Sequence, residues 1–259
     1  EAKRYILVGD GHQSIYGFRG AMNDSMKVLQ DQFKCIPLPL SITYRCAKDI
    51  VKEAYAVYPD IEAWEDSPLG IVRYANEESI EHYNASDIIL CRMNRPLIAL
   101  AYELLKDGTP CYVRGRDIGE GIVRLIRKQG CSTVRELITR LNEEYAVEAE
   151  KARVKEDEDK IQRIADRYGS ALLFCSKAML HDNPEVVCSA VTAMFSEGKG
   201  VCLSTVHKAK GLEAERAFLL DAHLYSTFSA RAKQAWQKEQ ERNILYVAIT
   251  RAKRELVYM

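Results

Sequence analysis

No charge of one sign dominates the sequence: 37 Lys and Arg stand against 37 Asp and Glu in 259 residues. That balance excludes a protein that coats nucleic acid by bulk charge, and leaves only a local basic groove open. No apolar run approaches the roughly 18 residues of a membrane-spanning helix, and the opening EAKRYILVGD has no signal-peptide pattern. Both absences point to an intracellular protein. The 8 cysteines, at 35, 46, 91, 111, 131, 175, 188 and 202, form no C-x-x-C pair. Zinc sites need short ligand spacing and secreted scaffolds need dense cysteine, so reduced thiols serving as small core hydrophobes remain. The phosphate-cradling loop G-x-x-x-x-G-K-S/T is missing too. Gly198-Lys199 imitates its end, but Gly200 follows and Ala193 stands where the first glycine belongs.

Hydrophobic residues make up 47% of the chain and charged residues 29%, enough to bury the core of one large domain or two small ones. Short apolar runs at Tyr5–Val8, Ile36–Ile42, Ile71–Tyr74, Ile88–Cys91, Cys111–Val113, Val201–Val206, Ala217–Leu220 and Leu256–Tyr258 predict strands. Between them, residues 46–57 and 96–105 repeat apolar side chains at helical spacing. Strands alternating with helices predict a mostly parallel sheet covered on both faces. From 119 to 197 the pattern is helical throughout. Thr133 and Glu136 make a capping box, and Asn183-Pro184 opens another helix. The charge run 151–160 reads as a solvated helix face or turn. The expectation is an α/β domain interrupted by an all-helical insertion.

Three segments carry more chemistry than a scaffold needs. Gly9–Ala21, GDGHQSIYGFRGA, leaves a strand end with four glycines, two aromatics and Arg19. Aromatics beside a cation suit stacking on single-stranded nucleic acid, and equally suit a turn holding two core aromatics. Ser204–Glu213, STVHKAKGLE, gathers hydroxyls, an imidazole and two lysines, which suits phosphate contacts or a lysine-rich surface turn. Glu241–Lys253, ERNILYVAITRAK, has a buried helical face with Arg251 beyond it. That arginine could point at a neighbouring site or complement the helix dipole.

Together, and with Leu40-Ser41-Ile42-Thr43-Tyr44-Arg45, these segments resemble in order motifs III, IV, V and VI of the UvrD/Rep family of superfamily 1 DNA helicases. The resemblance implies a RecA-like parallel-sheet fold of the P-loop NTPase class, here the second motor domain. It implies that Gln13 senses a γ-phosphate, that Tyr44 stacks on adenine and that Arg45 contacts the γ-phosphate. Gly211 and Glu213 belong to the ATP site, with Glu213 on the ribose, and Arg251 is the arginine finger. Tyr16, Phe18, Arg19, Thr205 and His207 are the implied contacts to single-stranded DNA. Phe18 stands where the family commonly has Trp, and Ala214 where an aromatic is usual.

The expected organisation is 1–32 as the tail of a first RecA-like domain, 33–120 with 198–259 as the second, and 121–197 as the helical insertion. Leu219-Leu220-Asp221 looks like a magnesium-holding strand end, but it follows motif V, whereas the family places that element and the phosphate loop before motif III. The chain therefore reads as the C-terminal part of an ATP-dependent 3′-to-5′ DNA helicase or translocase, inactive alone, with ATP and Mg2+ as cofactors and the magnesium ligands upstream. Single-stranded DNA, DNA junctions, the missing N-terminal motor domain and a protein docked on the insertion are the expected partners. No membrane and no metal site within the chain are expected, and the location is cytoplasmic, in a bacterium or encoded by a phage. A non-enzymatic nucleic-acid-binding or regulatory remnant, and an RNA-directed superfamily 1 motor, remain as alternatives.

Overall fold

The computed structural model describes residues 5–17, 25–75, 81–178 and 182–259. In chain order it runs α1 (Ser25–Phe33), β1 (Ile42–Thr43), α2 (Lys48–Val57), β2 (Glu62–Ala63), β3 (Ile71–Tyr74) and β4 (Ile88–Cys91). Then come α3 (Asn94–Lys106), β5 (Cys111–Arg114), α4 (Arg116–Lys128), α5 (Val134–Val154), α6 (Glu158–Lys177) and α7 (Pro184–Met194). The chain closes with β6 (Val201–Thr205), the helical turn α8 (Val206–Ala209), β7 (Ala214–Leu219), α9 (His223–Arg231), α10 (Ala235–Ile249) and β8 (Ala252–Tyr258). Two compact units form: Glu1–Ile80 with Ala209–Met259, and Glu81–Lys208. In the second unit β4, α3, β5 and β6 fall together with helices α4 to α7.

In the first unit β8 lies between β3 and β7, parallel to both, with Ile71 opposite Glu255 and Leu219 opposite Tyr258. Leu256 and Val257 are both buried, although neighbouring residues on a strand face opposite ways. The strand is thus covered on both faces, as parallel sheets require. Helix α2 buries Ile50, Val51 and Ala54, and α10 buries Ile244, Val247 and Ala248.

Two predicted strands do not form. Tyr5–Val8 joins no ladder among the described residues, and Ile6 and Val8 are 89% and 87% exposed. Of Ile36–Ile42 only the last residue pairs, in the two-residue bridge of β1 with β2. Pro37 and Pro39 remove alternate backbone donors from that run, so it cannot sustain a ladder.

The second unit holds β6 between β4 and β5, again parallel, with Ile88 opposite Cys202 and Cys111 opposite Val201. Adjacent parallel strands need a crossover of a dozen or more residues. Helix α3 is the crossover from β4 to β5, and α4 to α7 together form the crossover from β5 to β6. The predicted insertion is therefore an enlarged crossover. Gly200 ends it at φ +122°, where a Cβ would lie 2.1 Å from the carbonyl oxygen of Pro110, so no side chain fits.

These helices are no loose appendage. The Phe174 ring on α6 meets Tyr102 of α3 edge-on at 5.6 Å, and Phe195 beyond α7 lies flush against Gly119 of α4. Helix α3 has Met93 at its N-cap, which supplies no capping side chain. The Asp166 carboxylate of α6 takes that place, accepting from the backbone N–H groups of Asn94 and Arg95 at 3.0 and 2.9 Å. The predicted caps are present: Thr133 accepts from the Glu136 N–H, and Asn183 from the Glu185 N–H. The charge run is the tip of the α5–α6 hairpin, where Glu156 takes φ +51° and Asp157 caps α6.

Phe174→Ala should destabilise the protein by about 3–5 kcal/mol, the range for emptying a buried aromatic position, and Asp166→Ala by about 0.5–2 kcal/mol through the lost cap. Denaturant unfolding checks both. A Phe174→Ala midpoint equal to wild type would contradict tight docking of α6 on α3.

Candidate functional site

The first unit gathers most of the sequence-predicted residues. After Asp10, residues Gly11–Gln13 make one turn of 3-10 helix, capped by the Asp10 carboxylate on the His12 N–H at 2.9 Å. Ile15 is buried and anchors the loop. The Gln13 side-chain amide donates back to Asp10 at 2.6 Å, while the Gln13 carbonyl accepts from Lys210 Nζ at 2.8 Å. The same ammonium lies 5.8 Å from the centre of the Tyr16 ring. His12 stacks on Tyr58 with ring centres 3.7 Å apart and pairs through Nε2 with Asp60 at 2.7 Å.

A second cluster forms where the segments after β1, before β7 and around the start of β8 meet. Arg45 Nε lies 2.6 Å from one Glu213 oxygen, and Lys253 Nζ lies 2.7 Å from the other. Lys253 first, and Arg45 next, hold the Glu213 carboxyl below its ordinary range. The sequence suggests that Arg251 stands clear of the buried helix face, but it is 1% exposed. Its Nε donates to the Val247 carbonyl at 2.9 Å, one terminal nitrogen to the Leu212 carbonyl at 2.9 Å and the other to Thr250 Oγ1 at 3.2 Å. Burial, and then the Arg45 cation, press its pKa down. Burial also pushes the neighbouring Cys46 thiol up to about 11, so it stays protonated at neutral pH and is no nucleophile. Tyr246 is pushed up to about 12, by burial first and then by the Asp10 carboxylate.

Two cations thus pair with one carboxylate, and Arg251 lies near enough to feel both Arg45 and Glu213, an arrangement with charge to spare for an anion. Arg45 is the accessible donor, since its side chain is only part-covered. Tyr44, one residue earlier, is 72% exposed with a face tilted against Trp64 at 5.6 Å. Gly211 takes φ +92° with open space around its Cα, so it serves the backbone turn of this segment.

Phe18 and Arg19 lie outside the described residues. Thr205 and His207 belong to the second unit: Thr205 closes β6, buried, and His207 is half-buried in the helical turn that follows. Beside them Lys208 Nζ reaches both Asp117 oxygens, at 2.7 and 2.8 Å. Among the described residues no group of three or more His, Cys, Asp or Glu could hold a metal ion, and no helix is long and apolar enough to cross a membrane.

Sequence reasoning missed Tyr58, and it gave Asn243 and Lys253 no role. A signal existed for Asn243, a polar residue inside the apolar face Ile244, Val247, Ala248. Tyr58, just past α2, carried none.

A carboxyl held low contributes stability above its unfolded pKa and loses it as pH falls through its folded pKa. Stability should therefore decline as pH drops below the ordinary glutamate value of 4.5, and less steeply in Glu213→Gln. Thermal melts across that acid range test this. Equal slopes would mean that the pairs with Arg45 and Lys253 do not form in solution.

Comparison with known proteins agrees with this architecture. A 63-residue stretch is 41% identical to the Bacillus subtilis (strain 168) protein named "Putative ATP-dependent DNA helicase YjcD", covering 22% of this chain and 8% of that protein. Residues 131–259 match the model of the UvrD-like helicase C-terminal domain family, and the parallel α/β fold agrees with that match.

Proposed function

We propose that this chain is the C-terminal portion of an ATP-dependent DNA helicase or translocase that moves 3′ to 5′ on single strands. The observation that carries the reading is the cluster of Arg45, Arg251 and Lys253 around the single carboxylate of Glu213. These residues come from segments resembling motifs IV, V and VI, and their surplus positive charge suits polyphosphate. The residues fit a nucleoside triphosphate in two further respects: Tyr44 offers an open ring face for a base, and Gln13 sits on a turn bonded to the motif V lysine. A bound triphosphate supplies the anhydride whose hydrolysis powers movement.

The chain's own residues divide the work. Arg45 binds phosphate oxygens through charge-assisted hydrogen bonds, releasing Glu213 toward the ribose. Gln13 leaves Asp10 to meet the γ-phosphate. Arg251 already commits three of its five N–H groups, so its finger role uses the remaining two, aimed from a fixed base. Tyr16, Phe18, Arg19, Thr205 and His207 face single-stranded DNA. The phosphate loop and magnesium carboxylates come from a preceding motor domain, and the crossover helices α4 to α7 offer a surface for a protein partner or a DNA junction.

In the full-length protein, saturating single-stranded DNA should stimulate ATP hydrolysis, and the 259-residue chain alone should hydrolyse none. Arg251→Ala should lower kcat by roughly 10³–10⁵, the range for an arginine finger, with a far smaller change in ATP binding. Arg251→Lys should rescue little, because an ammonium lacks the planar fork. A wild-type kcat in Arg251→Ala, or hydrolysis by the isolated chain, would refute the assignment. Duplexes with a 3′ or a 5′ overhang test direction, and only the first should be unwound.

Phe18→Ala should weaken single-stranded DNA binding by about 1–3 kcal/mol, the loss of one stacking face. Titration with labelled oligonucleotide reads this. A lowered melting temperature with unchanged affinity would make Phe18 a core residue instead.

A further inference from the structure

Asn243 is 1% exposed at the middle of α10, and its side-chain bonds all run to other segments. Its Nδ2 donates to the Ser14 carbonyl at 2.9 Å and to the Gly11 carbonyl at 3.3 Å. Its Oδ1 accepts from the Tyr58 hydroxyl at 2.7 Å. The amide cannot be reversed, because Oδ1 would then oppose two carbonyl oxygens with no donor between them. Tyr58 is held in turn, stacked on His12 and covered on its ring by the Arg242 guanidinium at 4.5 Å. That guanidinium also donates to the Val57 carbonyl at 2.6 Å.

The two carbonyls that Asn243 grips lie on either side of Gln13. With Lys210 on the Gln13 carbonyl itself, three carbonyls of the turn, those of Gly11, Gln13 and Ser14, are held by side chains from the segments resembling motifs V and VI. The turn is one turn of 3-10 helix with no buried residue of its own, closed within itself by the Asp10 cap on the His12 N–H and by the Ser14 N–H on the Gly11 carbonyl at 3.0 Å. Asn243 ties the backbone on both sides of Gln13 to α10, while the Gln13 side chain itself rests on Asp10.

We propose that Asn243 is a positioning residue for Gln13, and that Tyr58 orients the Asn243 amide for this task. Helix α10 then carries two elements of the site on one rigid rod: the grip on the Gln13 turn at its middle and Arg251 just past its end. A shift of this rod moves both together. The inference rests on the ATP-driven reading above, in which Gln13 meets the γ-phosphate.

The test uses the full-length protein and steady-state ATP hydrolysis at saturating single-stranded DNA. Asn243→Asp keeps the shape but turns a carboxylate oxygen on the two carbonyls. It should lower kcat by roughly 10- to 100-fold, the scale of an ångström-level misplacement, with KM for ATP changed less than about threefold. In a Gln13→Ala background the same substitution should add almost nothing, because a residue acting through Gln13 has no further effect once Gln13 is gone. A merely structural role would instead lower kcat by the same factor in both backgrounds, and that result overturns the proposal, as does a wild-type kcat in Asn243→Asp. If Asn243→Asp fails to fold, Tyr58→Phe decides, since it keeps the stacked ring and removes only the orienting hydroxyl. A reduced kcat that vanishes in the Gln13→Ala background supports the proposal, and an unchanged kcat overturns it. Absence of hydrolysis in the wild-type protein would defeat the ATP-driven reading itself, an outcome distinct from an active enzyme indifferent to Asn243.

Discussion

Every strand pair described in this chain is parallel, and that constraint shapes the rest. A parallel neighbour cannot be reached by a tight turn, so each connection must climb back over the sheet, and helices become obligatory covers. Strands β4, β6 and β8 are consequently covered on both faces. Loops at the carboxyl ends of such strands are released from packing duties, which is where open α/β sheets place ligand chemistry. The crossover between β5 and β6 shows how far the constraint stretches: four helices fit within it because both of its ends are fixed by ladder partners.

Elements whose burial is local were legible in the sequence. Ile88–Cys91 and Val201–Thr205 are continuous apolar runs and form strands where expected, and α3 and α5 follow from spacing and capping alone. Elements whose fate depends on a partner were not. Tyr5–Val8 has the composition of a buried strand, yet composition cannot supply a ladder neighbour. In Ile36–Ile42 the two prolines were the visible warning against a strand. Helical periodicity marks which face is buried, not what buries it, so nothing in the sequence showed that Phe174 would close over Tyr102.

The site divides along the same line. The resemblance to the helicase motifs picked out Gln13, Arg45, Glu213 and Arg251, and the fold brings these into one unit. Their states were not legible. Arg251 looked like a surface cation because it follows a buried helix face by two residues, but the chain turns inward after Ile249 and backbone carbonyls receive it. Three hydrogen bonds offset what burying a guanidinium costs, and the same bonds fix its direction. Preorganisation of this kind favours groups that must act on charge developing at one place.

The carboxylate of Asp166 has a further meaning for nucleic acid. The first turn of a helix following a parallel strand, with its row of unpaired N–H groups and positive dipole end, is an inviting seat for a phosphate. At α3 that seat is already filled by a negative charge from α6, which also takes the Asn94 side-chain amide at 2.7 Å. A phosphate could enter only by evicting the aspartate, and so by loosening α6 from the start of α3. The start of α3 is thus closed to anions by a carboxylate that belongs to the fold itself.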